Sequence, residues 1–198
     1  MPSPRVLVFP GSNRTGSFNR MLEALVVREL RAQGADVVDI DLRDYALPLY
    51  DGDLEAAHGV PEPAQRLHAL FRESAGIFIV TPEYNAGIPP LTKNTIDWIS
   101  RVRDHGGIPA AFGAPLFALG AASPGGLGGY RCLMAMRQSL ELGLGATVLP
   151  TMVSISRATD AFDAAGEFTS PSNAQAVARA VDGLLAAIGT RNAPAVAG

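Results

Sequence analysis

The feature that most constrains the fold is a regular alternation between short apolar runs and longer segments of helical periodicity. The run Val6–Phe9 ends at Pro10-Gly11, which is typical of a fully buried strand followed by a turn. In the next segment apolar residues recur at steps of three and four until Gly34, which indicates an amphipathic helix with a glycine stop. The same alternation continues along most of the chain.

This pattern predicts an α/β fold with a parallel sheet, because each strand is followed by a crossover helix that packs on one face of the sheet. The predicted strands lie at 6–9, 37–42, 77–80, 116–121 and within 147–155, and the predicted helices at 18–34, 61–73, 89–102, 127–142 and 173–188. Five strands favour the flavodoxin-like doubly wound order 2-1-3-4-5, with helices on both faces, over a six-stranded dinucleotide-binding sheet. We expect a single domain at 1–190 and a flexible C-terminal tail at 191–198.

Composition excludes several classes of protein. With 47% hydrophobic and 18% charged residues, the chain is too apolar to be disordered. Its 16 basic and 19 acidic residues give a net charge of −3, whereas non-specific nucleic-acid binding requires a basic surplus. The single cysteine, Cys132, cannot form an internal disulfide or by itself build a zinc or iron–sulfur site. We therefore expect no nucleic-acid partner, no metal site and a reducing, cytoplasmic location.

Neither a targeting segment nor a membrane span is predicted. Met1–Arg5 leads directly into a short apolar run, without the flanks of a signal peptide. The uncharged stretch Gly106–Tyr130 is interrupted by several prolines and glycines, which a spanning helix tolerates only occasionally. We expect a loop, a short buried strand and a glycine-rich turn there, and no association with a membrane.

Three loops should meet at one edge of this sheet. Ligands of open α/β sheets bind beyond the carboxyl ends of the strands, near the switch point between the first and third strands. That rule selects the loops that follow Phe9, Val80 and Ala121.

The first loop reads Gly-Ser-Asn-Arg-Thr-Gly-Ser-Phe-Asn at 11–19 and runs into a helix. Glycines let the backbone curve around an anion, and free N–H groups and the helix dipole attract negative charge. Further hydrogen bonds can come from Ser12, Arg14, Thr15, Ser17 and Asn19. We expect a phosphate monoester here. The alternative is an ordinary helix start with Ser17 as its cap and Arg14 in solvent.

The second loop, Thr-Pro-Glu-Tyr-Asn-Ala-Gly-Ile-Pro-Pro at 81–90, presents an acid, an aromatic ring and an amide between rigid ends. Such a set suits a flat heteroaromatic ring that carries both donors and acceptors. The alternative is a structural turn in which Tyr84 covers the sheet edge.

The third loop, 123–129, has glycine at four of the five positions 125–129. This permits very close backbone approach to a ligand or to a neighbouring subunit. The alternative is a flexible connection before the next helix.

No catalytic side chain or metal ligand is predicted elsewhere. His58, His68 and His105 are scattered without metal-ligand spacing, which favours surface or satisfied core positions. Cys132 lies within a predicted helix, where cysteine is most often a small buried hydrophobe. The nucleophile pattern Gly-x-Ser-x-Gly does not occur.

Four motifs in this order resemble the NAD(P)H-dependent FMN reductase family, a flavodoxin-like family that includes quinone, azo-dye and chromate reductases. They span most of residues 5 to 188. The first two are Gly-Ser-x-Arg-x-x-Ser-x-Asn at 11–19 and Pro-Glu-Tyr-Asn at 82–85, which continues to Lys-Asn-x-Ile-Asp-Trp at 93–98. The later two are Ser-x-Gly-x-x-Gly-Gly-x-Arg at 123–131 and Phe-Asp-x-x-Gly at 162–166.

The resemblance implies bound FMN, with NADPH or NADH as hydride donor and a quinone or similar small molecule as acceptor. It implies that the first loop holds the phosphate and that the isoalloxazine ring rests on Pro82 to Asn85, with Ser123 reached from the third loop. From the position of the second loop beside the switch point, we expect Tyr84 to cover one ring face and Asn85 to bond the polar edge. The implied cofactor-binding residues are Ser12, Arg14, Ser17, Phe18, Asn19, Pro82, Glu83, Tyr84, Asn85 and Ser123.

Family members are dimers or tetramers, so we expect a homodimer or homotetramer. Trp98, Tyr50 and Phe112 are the candidate aromatic anchors of the interface. The segment 103–114 matches no landmark of the family, and we expect it to shape the substrate side.

Two other functions remain open on sequence alone. One is a flavodoxin-type electron carrier, although a net charge of −3 is weak for the acidic docking face of such a carrier. The other is a flavin-free regulatory or scaffold protein on the same fold. The choice between NADPH and NADH is also open.

Overall fold

A single parallel sheet organises the part of the chain that the computed structural model describes, residues 3–191. Its strands are β1 (Arg5–Pro10), β2 (Asp36–Asp39), β3 (Gly76–Val80), β4 (Leu116–Ala122), β5 (Thr147–Val148) and β6 (Val153–Ile155). The order is β2-β1-β3-β4-β5, and β6 also pairs with β4. This confirms the predicted flavodoxin-like topology.

Seven α-helices surround the sheet within these residues. They are α1 (Phe18–Ala32), α2 (Gly52–His58), α3 (Glu62–Arg72), α4 (Pro90–Arg101), α5 (Tyr130–Arg137), α6 (Ala158–Ala161) and α7 (Pro171–Arg191). Short 3₁₀ or π-helical turns lie at Leu42–Asp44, Pro109–Gly113 and Gln138–Gly143.

Two hydrophobic cores form because side chains alternate between the faces of each strand. Val6 and Val8 of β1 pack with α1 and α7 on one face. Leu7 and Phe9 pack with α3, α4 and α5 on the other. Since β1, β3 and β4 are buried on both faces, their sequences are continuously apolar, which is why periodicity located them well.

The predicted fifth strand is two short strands at one edge position of the sheet. β5 ends at Val148 and β6 begins at Val153, and both pair with β4. Pro150 lies in the gap, where its missing N–H cannot contribute to a ladder.

Three predicted segments differ from the structure. The second strand ends at Asp39, not at residue 42, because Asp41 accepts a hydrogen bond from the Arg43 N–H and opens a 3₁₀ turn. Helix α2 lies between residues 42 and 61, where no helix was predicted, and Asp51 caps it. The helix predicted from residue 127 begins at Tyr130, because Gly129 adopts a φ of +83°.

The expectation that segment 103–114 shapes the substrate side is wrong for this fold. The segment joins the C-terminal end of α4 to the start of β4, which is the amino edge of the sheet. Ligands of doubly wound sheets bind at the carboxyl edge. Ala111 and Phe112 of this segment are completely buried in the core.

Trp98 and Phe112 cannot anchor an interface, because both are completely buried within their own chain. The Trp98 indole donates a hydrogen bond to the Pro48 carbonyl at 2.7 Å, and the Tyr50 ring meets it edge-on with centroids 5.0 Å apart. These aromatic residues fix the loop after β2 onto α4.

Helix α7 extends to Arg191, three residues beyond the predicted helix, and residues 192–198 of the expected tail lie outside the described part. Among residues 3–191, no helix is both long and apolar enough to cross a membrane.

Candidate functional site

The three loops selected from the sequence surround one cavity of about 330 Å³ at the carboxyl edge of β1, β3 and β4. We name it the three-loop cavity. Its lining residues are Ser12, Arg14, Ser17, Phe18, Asn19, Pro82, Glu83, Tyr84, Ala122, Ser123 and Pro124. The structure therefore brings together every residue of the predicted site except Asn85. Ala122 and Pro124 are additions that the sequence motifs did not single out.

The first wall of the cavity is the start of α1. Ser17 caps the helix, since its Oγ accepts a hydrogen bond from the Asn19 N–H at 3.2 Å. Ser12 is buried, and its Oγ accepts a hydrogen bond from the backbone N–H of Arg14 at 3.4 Å. Capping and anion binding are compatible here, because the first turn of a helix has more free N–H groups than one side chain can satisfy.

Arg14 gives the cavity its positive charge. Its guanidinium donates to the Gly16 carbonyl at 3.2 Å and lies 5.9 Å from the centroid of the Phe18 ring. Within residues 3–191 it forms no ion pair, whereas Glu83, the other charged lining residue, is paired with Arg131. The cavity thus favours an anionic group beside α1.

A second arginine, Arg20, stabilises the first loop through a contact with its backbone. Arg20 donates through Nε to the Ser12 carbonyl at 3.2 Å and pairs with Asp41 at 2.6 Å. Hydrogen bonds from Arg43 and from Arg20 hold the pKa of the Asp41 carboxyl well below its usual range. Sequence reasoning missed this support, since Asp41 is brought to Arg20 only by the pairing of β1 with β2.

The second loop forms a tight turn that points Tyr84 outward. Tyr84 and Gly87 exchange backbone hydrogen bonds of 3.3 and 3.0 Å, and Asn85 and Ala86 adopt φ values of +50° and +63°. Positive φ at both central residues is the type I′ geometry. The Tyr84 ring is half exposed at the cavity, whereas Asn85 has a turn position outside the lining.

Glu83 directs its side chain into the protein. Its carboxylate accepts hydrogen bonds from Arg131 Nε at 2.8 Å and from the Cys132 N–H at 3.2 Å. These bonds, led by the one from Arg131, lower the pKa of Glu83. The second loop is thereby joined to the start of α5.

Two of the four glycines of the third loop are required by close packing within the chain. A Cβ on Gly128 would lie 2.6 Å from the Ser154 Oγ, and one on Gly129 would lie 2.5 Å from the Ala121 Cβ. These two glycines allow close approach to β6 and β4 of the same chain, so the predicted close approach is intramolecular here. Gly125 and Gly126 are exposed.

Two residues set aside from the sequence have structural positions, as expected. His68 is buried and its Nε2 lies 3.0 Å from the Gly107 carbonyl oxygen. Cys132 is buried, and burial raises the pKa of its thiol to about 12, so it stays protonated.

The sheet order 2-1-3-4-5 defines a flavodoxin-like fold, and its switch point carries a cationic helix start with an exposed aromatic ring beside it. Comparison with known proteins refines this class. The sequence model of the family described as NADPH-dependent FMN reductase matches residues 4–160. The chain belongs to this family, and it is an oxidoreductase that uses FMN and NAD(P)H.

Known proteins of similar sequence and structure agree with this assignment. The chain is 37% identical over 137 residues to a quinone reductase of Escherichia coli, which covers 69% of each chain. It is 33% identical to an NAD(P)H-dependent FMN reductase of Pseudomonas aeruginosa, over 82% of this chain and 83% of that one. The solved structure of FerB, a flavoenzyme NAD(P)H:(acceptor) oxidoreductase from Paracoccus denitrificans, superposes with a TM-score of 0.75 at 28% identity, covering 94% and 98% of the two chains.

Proposed function

We propose that this protein oxidises NADPH or NADH, holds FMN in the three-loop cavity and passes the electrons to a quinone or a similar acceptor, with azo compounds and chromate as further candidates. The observation that carries the proposal is the convergence of the three loops on one cavity, with Arg14 as a cation that forms no ion pair within residues 3–191. The relatives named as quinone reductases support the choice of acceptor.

The lining residues fit the chemistry of FMN. Hydroxyl groups of Ser12 and Ser17, the Arg14 guanidinium and the start of α1 match a phosphate group. The half-exposed Tyr84 ring and Pro82 offer an apolar surface for a flat ring system. We assign the phosphate end to the first loop and the ring end to the second and third loops.

The protein's part in the reaction is binding and orientation. When bound, FMN supplies the redox chemistry, accepting a hydride from the nicotinamide and returning two electrons to the acceptor. Tyr84 covers part of the space above the second loop, and the loop backbone offers N–H groups to the polar edge of the ring, where negative charge develops. No side-chain acid or base is required, and we assign none.

Steady-state assays of the FMN-loaded protein test the proposal. NADH and NADPH are compared with several quinones, and we expect nicotinamide oxidation that depends on both FMN and the quinone. A yellow protein that binds FMN but does not oxidise either nucleotide would instead support an electron carrier. A protein that purifies colourless and does not bind added FMN would contradict both functions.

We also propose that residues 1–190 act as one FMN-binding domain in the cytoplasm and assemble as a homodimer or homotetramer. Within 3–191, one sheet carries all the helices, which supports the single domain. The apolar side chains of Leu127, Tyr130 and Met134 are exposed in the third loop and in α5, and they replace the buried aromatic residues as candidate contacts between subunits.

A further inference from the structure

We propose that Asn19 and Glu83 are positioning residues, which hold the loops of the three-loop cavity at a fixed spacing through contacts with the protein itself. The proposal rests on the proposed function, since it concerns the same site. It assigns these two side chains a different task from the other lining residues: they set the geometry of the cavity, and Ser12, Arg14 and Ser17 bind.

Asn19 joins the start of α1 to the end of β4. Its Nδ2 donates to the Ala122 carbonyl at 2.9 Å, and its Oδ1 accepts from the Ala122 N–H at 2.9 Å. Both polar atoms of the amide are therefore committed to one residue that lies 103 positions away in the chain. The side chain is only 3% exposed, which leaves little surface for a ligand.

The sheet explains why Ala122 needs this partner. Pairing of β3 with β4 ends at Val80 and Gly120, and the Thr81 N–H still donates to the Gly120 carbonyl. Continuation of this register would give Ala122 the Thr81 carbonyl and the Glu83 N–H as partners, but β3 ends at Val80 and the chain enters the second loop there. The Asn19 amide thus takes the place of the missing strand residue and satisfies two backbone groups that would otherwise be buried without partners.

Glu83 joins the second loop to the start of α5. The carboxylate is 7% exposed and binds both the Arg131 guanidinium and the Cys132 N–H. An unpaired carboxylate at this position would repel a phosphate and any negative charge that develops on the ring during reduction. Pairing with Arg131 removes that repulsion and fixes the distance between the second and third loops.

A third contact completes the connection between the loops. The Thr92 Oγ1 lies 3.0 Å from the Thr81 Oγ1 and 3.5 Å from the Gly11 carbonyl oxygen. The first and second loops are thus joined through α4, the first and third through Asn19, and the second and third through Glu83. The spacing of all three walls is set by the folded chain.

A double-mutant cycle in the full-length protein tests Glu83. We expect E83Q and R131M each to weaken FMN binding by about three- to tenfold, and the double variant to be no weaker than either, because one contact is lost in all three. The absorption bands of bound FMN should shift in all three variants, because the spacing of the second and third loops changes in each. E62Q, which breaks the exposed pair of Glu62 with Arg66, is the control and should bind FMN normally.

The opposite result is equally clear. If Glu83 contacts FMN itself, R131M leaves the affinity and the spectrum unchanged, or the two effects add in the double variant. Either outcome overturns the assignment of Glu83.

Hydrogen exchange of the FMN-free, full-length protein tests Asn19 independently of any activity. We expect N19A to lose protection at the Ala122 amide, whereas N19D retains part of it, because the carboxylate keeps an acceptor for that N–H. Unchanged protection in both variants overturns the proposal. Failure of the proposed oxidoreductase function would leave this readout intact, so the two failures are distinguishable.

Discussion

At the scale of single residues, Arg14 is the side chain whose removal should separate binding from folding. Its guanidinium makes one hydrogen bond to the protein, to Gly16, and no ion pair within residues 3–191. A charge-assisted hydrogen bond contributes about 1.5–3 kcal/mol, and exposure to solvent favours the lower limit, so R14A should weaken FMN binding by about tenfold. Fluorescence titration with FMN measures this.

The control for this prediction is R14K, which keeps the charge and should lose less affinity. The thermal unfolding of both FMN-free variants should match that of the parent. Equal dissociation constants for R14A and the parent would exclude Arg14 from the phosphate site.

Tyr84 should affect the rates of the two half-reactions more than the affinity for FMN. Its ring is half exposed at the cavity, so it can cover one side of a bound ring system. Stopped-flow reduction and reoxidation of FMN-saturated Y84A measures this, with A86G as the control, because glycine favours the positive φ of the same turn. Unchanged rates in both half-reactions would leave Tyr84 a purely structural residue.

Glu23 predicts a loss of stability as the pH rises from its ordinary pKa of 4.5 to about 8. The side chain is buried, and its Oε1 has no hydrogen-bond partner among the described residues 3–191. Burial and the neighbouring Asp39 raise its pKa to about 8, against a smaller opposing effect of Arg20, while Asp41 adds repulsion. Since the folded-state pKa is raised above the ordinary value, the folded protein holds the extra proton, and this contribution is lost as pH rises through about 8.

The E23Q variant tests this, because it keeps the shape of the side chain and cannot ionise. Its thermal unfolding temperature should fall less than that of the parent between about pH 6 and about pH 9. Parallel curves for the two proteins would contradict a raised pKa at Glu23.

The residues of the site can be predicted from the sequence better than their roles can. The spacing of hydroxyl groups, glycines and Arg14 in the first loop is a local pattern, so it can be interpreted without the fold. The partner of Asn19 lies 103 positions away and that of Glu83 lies 48 positions away, so neither contact is visible in a motif. Asn85 was expected at the ring edge, but it occupies a central position of the two-residue turn and does not line the cavity.

At the scale of secondary-structure elements, Gly11 shows why the first loop tolerates no side chain at its start. A Cβ there would lie 2.1 Å from the Thr92 Oγ1 and 2.8 Å from the Thr81 Oγ1. G11A should therefore destabilise the protein by roughly 1–3 kcal/mol, as overpacking does in other cores. Urea denaturation of the FMN-free protein measures the free energy of unfolding.

The double variant G11A/T92A should recover part of this loss, because it removes the clashing hydroxyl. G52A is the matched control, since a Cβ on Gly52 meets nothing within 4 Å. A G11A protein as stable as the parent would mean that β1 and α4 can move apart at no cost.

Elements defined by long-range pairing were the hardest to predict. The central strands are buried on both faces, and periodicity alone located β1, β3 and β4 to within one residue at each end. The division of the fifth strand into β5 and β6 depends on which residues β4 can pair with, so the sequence pattern predicted only one strand within 147–155. The short helix α6 follows Arg157, whose φ is +48°. An arginine in a sequence does not indicate this left-handed conformation.

At the scale of the whole molecule, topology was predictable because it follows from a few rules. Alternating strands and helices require a parallel sheet with right-handed crossovers. Five strand positions favour the order 2-1-3-4-5 over a six-stranded sheet. That rule selected the three loops before any motif was considered. The candidate interface was not predictable, because the exposure of Trp98 and Phe112 depends on the loop that covers them and on the core they enter.

Assembly into an oligomer should depend on the exposed apolar side chains around the start of α5. Tyr130 and Met134 lie one turn apart on α5, Leu127 lies in the third loop just before it, and each is about half exposed. A patch of large apolar side chains at the surface is typical of a contact between subunits, especially when it contains tyrosine and methionine. Tyr130 is followed by Arg131, which pairs with Glu83 of the cavity lining. We expect M134E, measured by sedimentation velocity at several concentrations, to shift the protein toward the monomer.

The control is I108E, which places the same charge on a partly exposed residue before the turn at Pro109–Gly113, at the amino edge of the sheet. It should leave the oligomer intact, because it lies away from the carboxyl edge where the patch begins. M134E should also lower the FMN affinity of the dilute protein if the neighbouring subunit helps to close the cavity. A parent protein that is monomeric and fully active at assay concentrations would show that one chain is sufficient, and that the apolar face of α5 has another use.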